Sequence, residues 1–86
     1  MLYKIARITD HDDMIKEEPE AVSRMNRIID LNLAEISIGK SLFMECVRPG
    51  FLKSIITSPV QAVYSVDNGA IIDTMNSYYY LEEFEL

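Results

Sequence analysis

From residue 61 to residue 84 the chain reads QAVYSV, DN, GAIIDT, MN, SYYYLEEF. This punctuated alternation constrains the fold more than any other feature. Asn and Gly accept positive φ, so Asp67-Asn68-Gly69 between two β-type runs signals a tight hairpin. Met75-Asn76 marks a second turn, and together they predict a three-stranded meander over 61–84. Side chains alternate along a strand, so in Tyr78-Tyr79-Tyr80 the outer two rings face opposite to the middle one. With Leu81 and Tyr79 sharing the core face, Tyr78 and Tyr80 lie outside.

Upstream, LYKIARIT (2–9) alternates and is rich in β-branched and aromatic residues, which predicts a strand. DHDD then breaks the pattern with turn formers. Glu18-Pro19-Glu20 suits the first turn of a helix, and Val22, Met25 and Ile29 fall on one helical face. A short helical excursion near residues 14–25 is expected, followed by a strand in RIIDLNL (27–33). Gly39-Lys40 reads as a connection and 41–48 as a strand that ends at Pro49-Gly50. Residues 51–60 read as a short strand that breaks at Ser58-Pro59, before QAVYSV resumes. The 86 residues suffice for one domain, 1–86, burying roughly 60–65% of the unfolded surface. The expected fold is mainly β: a small SH3-like or related barrel of five to six strands, which removes most exposed edges.

Composition narrows the function classes. The net charge of −6 disfavours a phosphate-backbone binder, whose affinity comes from clustered Lys and Arg, so no direct nucleic-acid binding is expected. One cysteine, Cys46, forms no internal disulfide; a small core filler in a reducing cytoplasm is expected. The N-terminus lacks a signal pattern and no apolar stretch approaches the roughly 18–20 residues that cross a membrane. GxGxxG, GxxxxGK[ST] and CxxC are absent from the sequence. Asp10, His11 and Asp13 offer metal-binding chemistry at a spacing that matches no calcium loop. A protein without cofactor, metal or enzymatic activity is expected.

Two clusters carry ligand-type chemistry. VRPGFLKSIITSP (47–59) brings Arg48, Lys53, Thr57 and Ser58 into one Pro/Gly-punctuated stretch, and a guanidinium with hydroxyls suits an anionic ligand. An exposed Tyr78 beside it would stack on a base or ribose. The second cluster is acidic: Asp10, Asp12, Asp13, Glu17 and Glu18 in the 10–20 segment, with the EEFE tail at 82–85. Such a surface suits a basic patch on a protein partner.

Thr57, Ser58 and Val60 in TSPV, with Thr74, Asn76, Ser77 and Tyr79 in TMNSYY, carry one family resemblance. Over roughly residues 40–82 the chain resembles small uncharacterised β-rich proteins encoded by phages of Gram-positive bacteria. The acidic 10–20 segment has no counterpart in that pattern. The resemblance implies a non-catalytic accessory protein that counters host defence. Among such proteins some sequester a nucleotide signal in an oligomer and others bind a host protein. The first expectation is therefore a homo-oligomer that binds a small anionic nucleotide signal through Arg48, Lys53, Thr57, Ser58 and Tyr78. The alternative is an inhibitor whose acidic surface meets a host nuclease or other immune effector.

Overall fold

A computed structural model describes residues 1–47 and 54–85. Six strands form the barrel: β1 (Leu2–Thr9), β2 (Ile28–Asp30), β3 (Ser41–Cys46), β4 (Ser54–Val66), β5 (Gly69–Thr74) and β6 (Tyr78–Glu83). Each pairs antiparallel with its neighbours in sequence, and β6 returns to β1 to close the sheet. Closure gives each strand a partner on both sides and so covers most edge groups among the described residues. The fold is thus mainly β, a closed six-stranded antiparallel barrel, as the alternation predicts.

Ile5, Ile8, Ile29, Met44, Ile55, Val60 and Ile72 fill the interior and are fully buried. Tyr79 and Leu81 join them, while Tyr78 and Tyr80 stand half-exposed outside. The expected meander is present, its first turn made by Asp67 and Asn68, with Asn68 at φ 62°. Cys46 is half-buried against the core, and this burial raises its thiol pKa. Among the described residues, no helix is long and apolar enough to cross a membrane.

Three boundaries differ from the pattern-based expectation. β4 runs unbroken through Ser58-Pro59. Its first half pairs with β3 and its second with β5, and Pro59 sits at the change-over, where the register shifts between Val60 and Ala62. A bulge is where a strand tolerates a missing N–H. Pro59 supplies its carbonyl there, accepting from the Met75 amide at 2.9 Å. β2 is only three residues long, and a 3₁₀ turn over Leu33–Glu35, capped by Asn32 Oδ1 on the Ala34 amide, follows it.

The helix α1 (Pro19–Arg24) buries Ala21 and turns Val22 to solvent. Six residues are too few to hold Val22, Met25 and Ile29 on one helical face. The chain leaves the helix at Met25 in extended conformation, and Asn26 at φ 65° docks onto β1 through its amide to the Ile5 carbonyl.

A side-chain lock closes the turn between β5 and β6. The buried Thr74 hydroxyl donates to the Ser77 carbonyl at 3.0 Å and accepts from the Ser77 amide at 3.2 Å. Thr74→Val keeps the shape and removes both bonds, leaving the Ser77 amide buried without its acceptor. Stability in urea is expected to fall by about 2 kcal/mol. A loss under roughly 0.5 kcal/mol would show that the corner holds without the hydroxyl.

Candidate functional site

That corner forms one wall of a pocket at the end of the barrel. The Ser58 hydroxyl accepts from the Asn76 amide at 3.1 Å, so the TSP stretch of β4 meets the TMNSY stretch across 18 residues of chain. The helix α1 and the segment before it form the opposite wall. Lys16, Glu18, Glu20, Arg24, Ser58, Asn76, Ser77 and Tyr79 line an open cavity of about 260 Å³, with Ile8, Ala21 and Ile56 as its apolar part.

Arg24 organises the pocket. Its guanidinium donates to the Tyr79 hydroxyl at 2.7 Å, to a Glu20 carboxylate oxygen, and to the Ile56 carbonyl at 3.4 Å. The Arg24 side chain is 16% exposed, whereas that of Glu20 is 75% exposed. A guanidinium is a rigid fork with five donors, and here it is held from two sides by the barrel. Burial raises the Tyr79 pKa, and the Arg24 charge beside it works against that rise. Two cations, Lys16 and Arg24, face two carboxylates, Glu18 and Glu20, around the mouth.

The residues singled out in the sequence separate in space. Arg48 and Lys53 lie outside the described residues. Ser58 lines the pocket. Thr57 points into the barrel, where its hydroxyl accepts from the Leu42 amide at 3.0 Å and donates to the Ser58 carbonyl at 2.7 Å. Both bonds hold the β3–β4 bulge, so the hydroxyl is structural. Tyr78 stands on the outer face, its ring edge-on to His11 at 4.6 Å, and does not line the pocket. Arg24 and Lys16 were not singled out, because no local pattern connects a helix-end arginine to a tyrosine 55 residues away.

In the acidic segment Asp10 and Asp13 make side-chain bonds, while Asp12, Asp13, Glu17 and Glu18 are all exposed. Asp10 caps its own loop, accepting from the Asp12 and Met14 amides at 2.9 and 3.0 Å. His11 Nε2 lies 3.0 Å from Asp73 Oδ1, and Asp13 accepts from the Tyr80 hydroxyl at 2.7 Å. Glu18 is exposed and borders the mouth of the pocket, and Asp12 and Glu17 face solvent. Asp10, His11 and Asp13 therefore point to three different partners. Among the described residues, no three His, Cys, Asp or Glu side chains gather around a common point.

The bond to Asp13 raises the Tyr80 pKa above 10.0, and burial raises that of Tyr79. Tyr3 is raised as well, by burial and by Glu83. Because these folded-state values exceed the unfolded one, the stability they contribute is complete below about pH 10 and is lost as pH rises through the folded values. Tyrosinate absorbance is expected to show a late-titrating group of phenols, with Tyr80→Phe removing one of them. An unchanged late phase in Tyr80→Phe would show that Asp13 does not hold this phenol.

Comparison of the chain with protein-family models, with curated proteins and with solved structures found no match.

Proposed function

We propose that this chain is a non-catalytic binding protein that sequesters a small anionic ligand of the nucleotide class in the pocket under α1. The observation that carries this is Arg24, a largely buried guanidinium aimed into a pocket and held by the Tyr79 hydroxyl. A planar fork with neutral donors around it suits phosphate, which it can bind through two parallel hydrogen bonds. Tyr79, Ser58 and the Asn76 side chain supply hydroxyl and amide groups in the same cavity. Glu20 occupies the position on Arg24 that a phosphate oxygen would take. The Glu20 side chain is itself 75% exposed, so water receives it when a ligand takes its place.

The non-catalytic character is part of this proposal. By the resemblance to small phage proteins, the role is to withdraw a nucleotide signal from host defence. A homo-oligomer belongs to the same proposal. Ile56 at the pocket mouth and its cross-strand neighbour Phe43 are both exposed, and a second copy over them would close the mouth.

The test is calorimetry and thermal shift with the full chain against mono-, cyclic and dinucleotides, their nucleosides and inorganic phosphate. Phosphate-bearing compounds are expected to raise Tm, and nucleosides are not. Absence of heat and of any Tm shift at millimolar concentration across the panel would overturn the proposal.

A further inference from the structure

A second surface lies on the outer wall of the barrel. Cross-strand register places Tyr64 of β4 beside Ile71 of β5, Ile71 beside Tyr80 of β6, and Tyr80 beside Arg7 of β1. The four side chains form a row perpendicular to the strands. Tyr64 is 52% exposed, and Val66, one outward position along β4, is exposed as well. Next to the row, the β4–β5 turn and β6 border a groove of about 750 Å³. Ile71, Tyr80 and Val66 form its apolar part, and Asp67, Glu82 and Glu83 its acidic part.

The charge around this face is one-sided. Asp13 sits on the Tyr80 hydroxyl and Asp73 pairs in register with Tyr78, adding two carboxylates to the three in the groove. Among the described residues, the cations on this face are Arg7, Lys4, which lies 3.8 Å from Glu82, and His11 on Asp73 if protonated. An aromatic and aliphatic centre inside a polar rim is the anatomy of a protein interface. An acidic rim repels nucleic acid and anionic membranes and attracts cationic protein.

The molecule already displays how the centre holds a guanidinium. Arg7 stacks over Tyr80, its Cζ 4.0 Å from the ring centroid. Tyr64 offers a second phenol ring, exposed and one strand beyond Ile71. With Arg7 over Tyr80, a partner's arginine would find the free stacking face on Tyr64 and carboxylates nearby for its donors, a combination that lysine satisfies less well.

We infer that the Tyr64–Ile71–Tyr80 row and its acidic groove form a docking surface for an extended, arginine-rich segment of a partner protein. The surface is independent of the pocket under α1 and stands on the opposite side of the sheet from the core. Of the acidic segment, Asp13 belongs to this surface through Tyr80, whereas Asp10 caps its own loop.

The test uses the full chain and a fluorescently labelled Arg-Ser repeat peptide, followed by anisotropy, with a Lys-Ser peptide for comparison. Tyr64→Ser is expected to weaken binding about fivefold although net charge is unchanged. Neutralising the groove with Asp67→Asn and Glu82→Gln is expected to weaken it about tenfold. The same charge change placed elsewhere, Asp12→Asn with Glu17→Gln, is expected to change it less than about twofold. The Lys-Ser peptide is expected to bind about fivefold more weakly. Tm of each variant controls for folding, and these exposed positions leave the core intact. Equal losses from both neutralised pairs, with no effect of Tyr64→Ser, would mean diffuse attraction and overturn the inference. So would no measurable binding, or a concentration-dependent self-association in sedimentation that Tyr64→Ser abolishes, since the face would then belong to a second copy.

Discussion

Gly69→Ala is expected to destabilise the barrel by about 3 kcal/mol, at the upper end for small-to-large changes. A Cβ at this position would lie 1.9 Å from the Leu81 carbonyl oxygen and 3.0 Å from its carbon. Both are backbone atoms, and the ladder that pairs Gly69 with Glu82 and Ala70 with Leu81 fixes them. The clash is relieved only by parting β5 from β6 at the hairpin, where the Glu83 amide also bonds the Asn68 carbonyl at 2.8 Å. For a domain whose total stability is about 5–15 kcal/mol, such a loss is a large share. Gly39→Ala supplies the comparison. Gly39 has φ +88° but open space around it, so alanine there meets strain without collision and costs about 1–2 kcal/mol. Urea denaturation of both variants measures the difference. If Gly69→Ala is no worse than Gly39→Ala, the close approach of β5 and β6 is not what excludes a side chain.

Arg24→Gln is expected to weaken phosphate-ligand binding about 100-fold. Charge-assisted hydrogen bonds contribute about 1.5–3 kcal/mol each, and losing the fork removes at least one and the local charge with it. A smaller loss of stability, about 1 kcal/mol, accompanies it, because the Tyr79 hydroxyl loses its donor. Arg24→Lys keeps the charge without the planar fork and is expected to fall between the two proteins. Glu20→Gln is expected to act in the opposite direction and tighten binding, since it removes the carboxylate that competes for Arg24. Calorimetry on the four proteins with one nucleotide ligand measures all of this. A Glu20→Gln variant that binds more weakly, or an Arg24→Gln variant that binds as well as the parent, would place the ligand elsewhere.

Sequence and structure divide along the distance over which the relevant forces act. The 61–84 meander was legible because its information is local: strand alternation has a period of two, and Asn68 accepts the positive φ that its turn requires. The same alternation assigned Tyr79 and Leu81 to the interior and Tyr78 and Tyr80 to the outside. The unbroken course of β4 was not legible. A proline inside a β-type run normally marks an end, and only the exchange of partner strands at Pro59 makes its missing N–H harmless.

The pocket was half legible. Ser58, Asn76, Ser77 and Tyr79 stood out as short motifs, but nothing in those motifs assigns them to one wall. Arg24 belongs to the basic residues of the middle of the chain but to no motif, because its partner lies 55 residues away. The class of fold, the hairpin turns and the faces of the C-terminal strands follow from local pattern, since steric and hydrophobic periodicity act between near neighbours. Barrel closure alone decided which side chains meet. Pairing β6 with β1 carries Tyr79 beneath α1 and Tyr80 beside Arg7, and those contacts create both the pocket and the outer row.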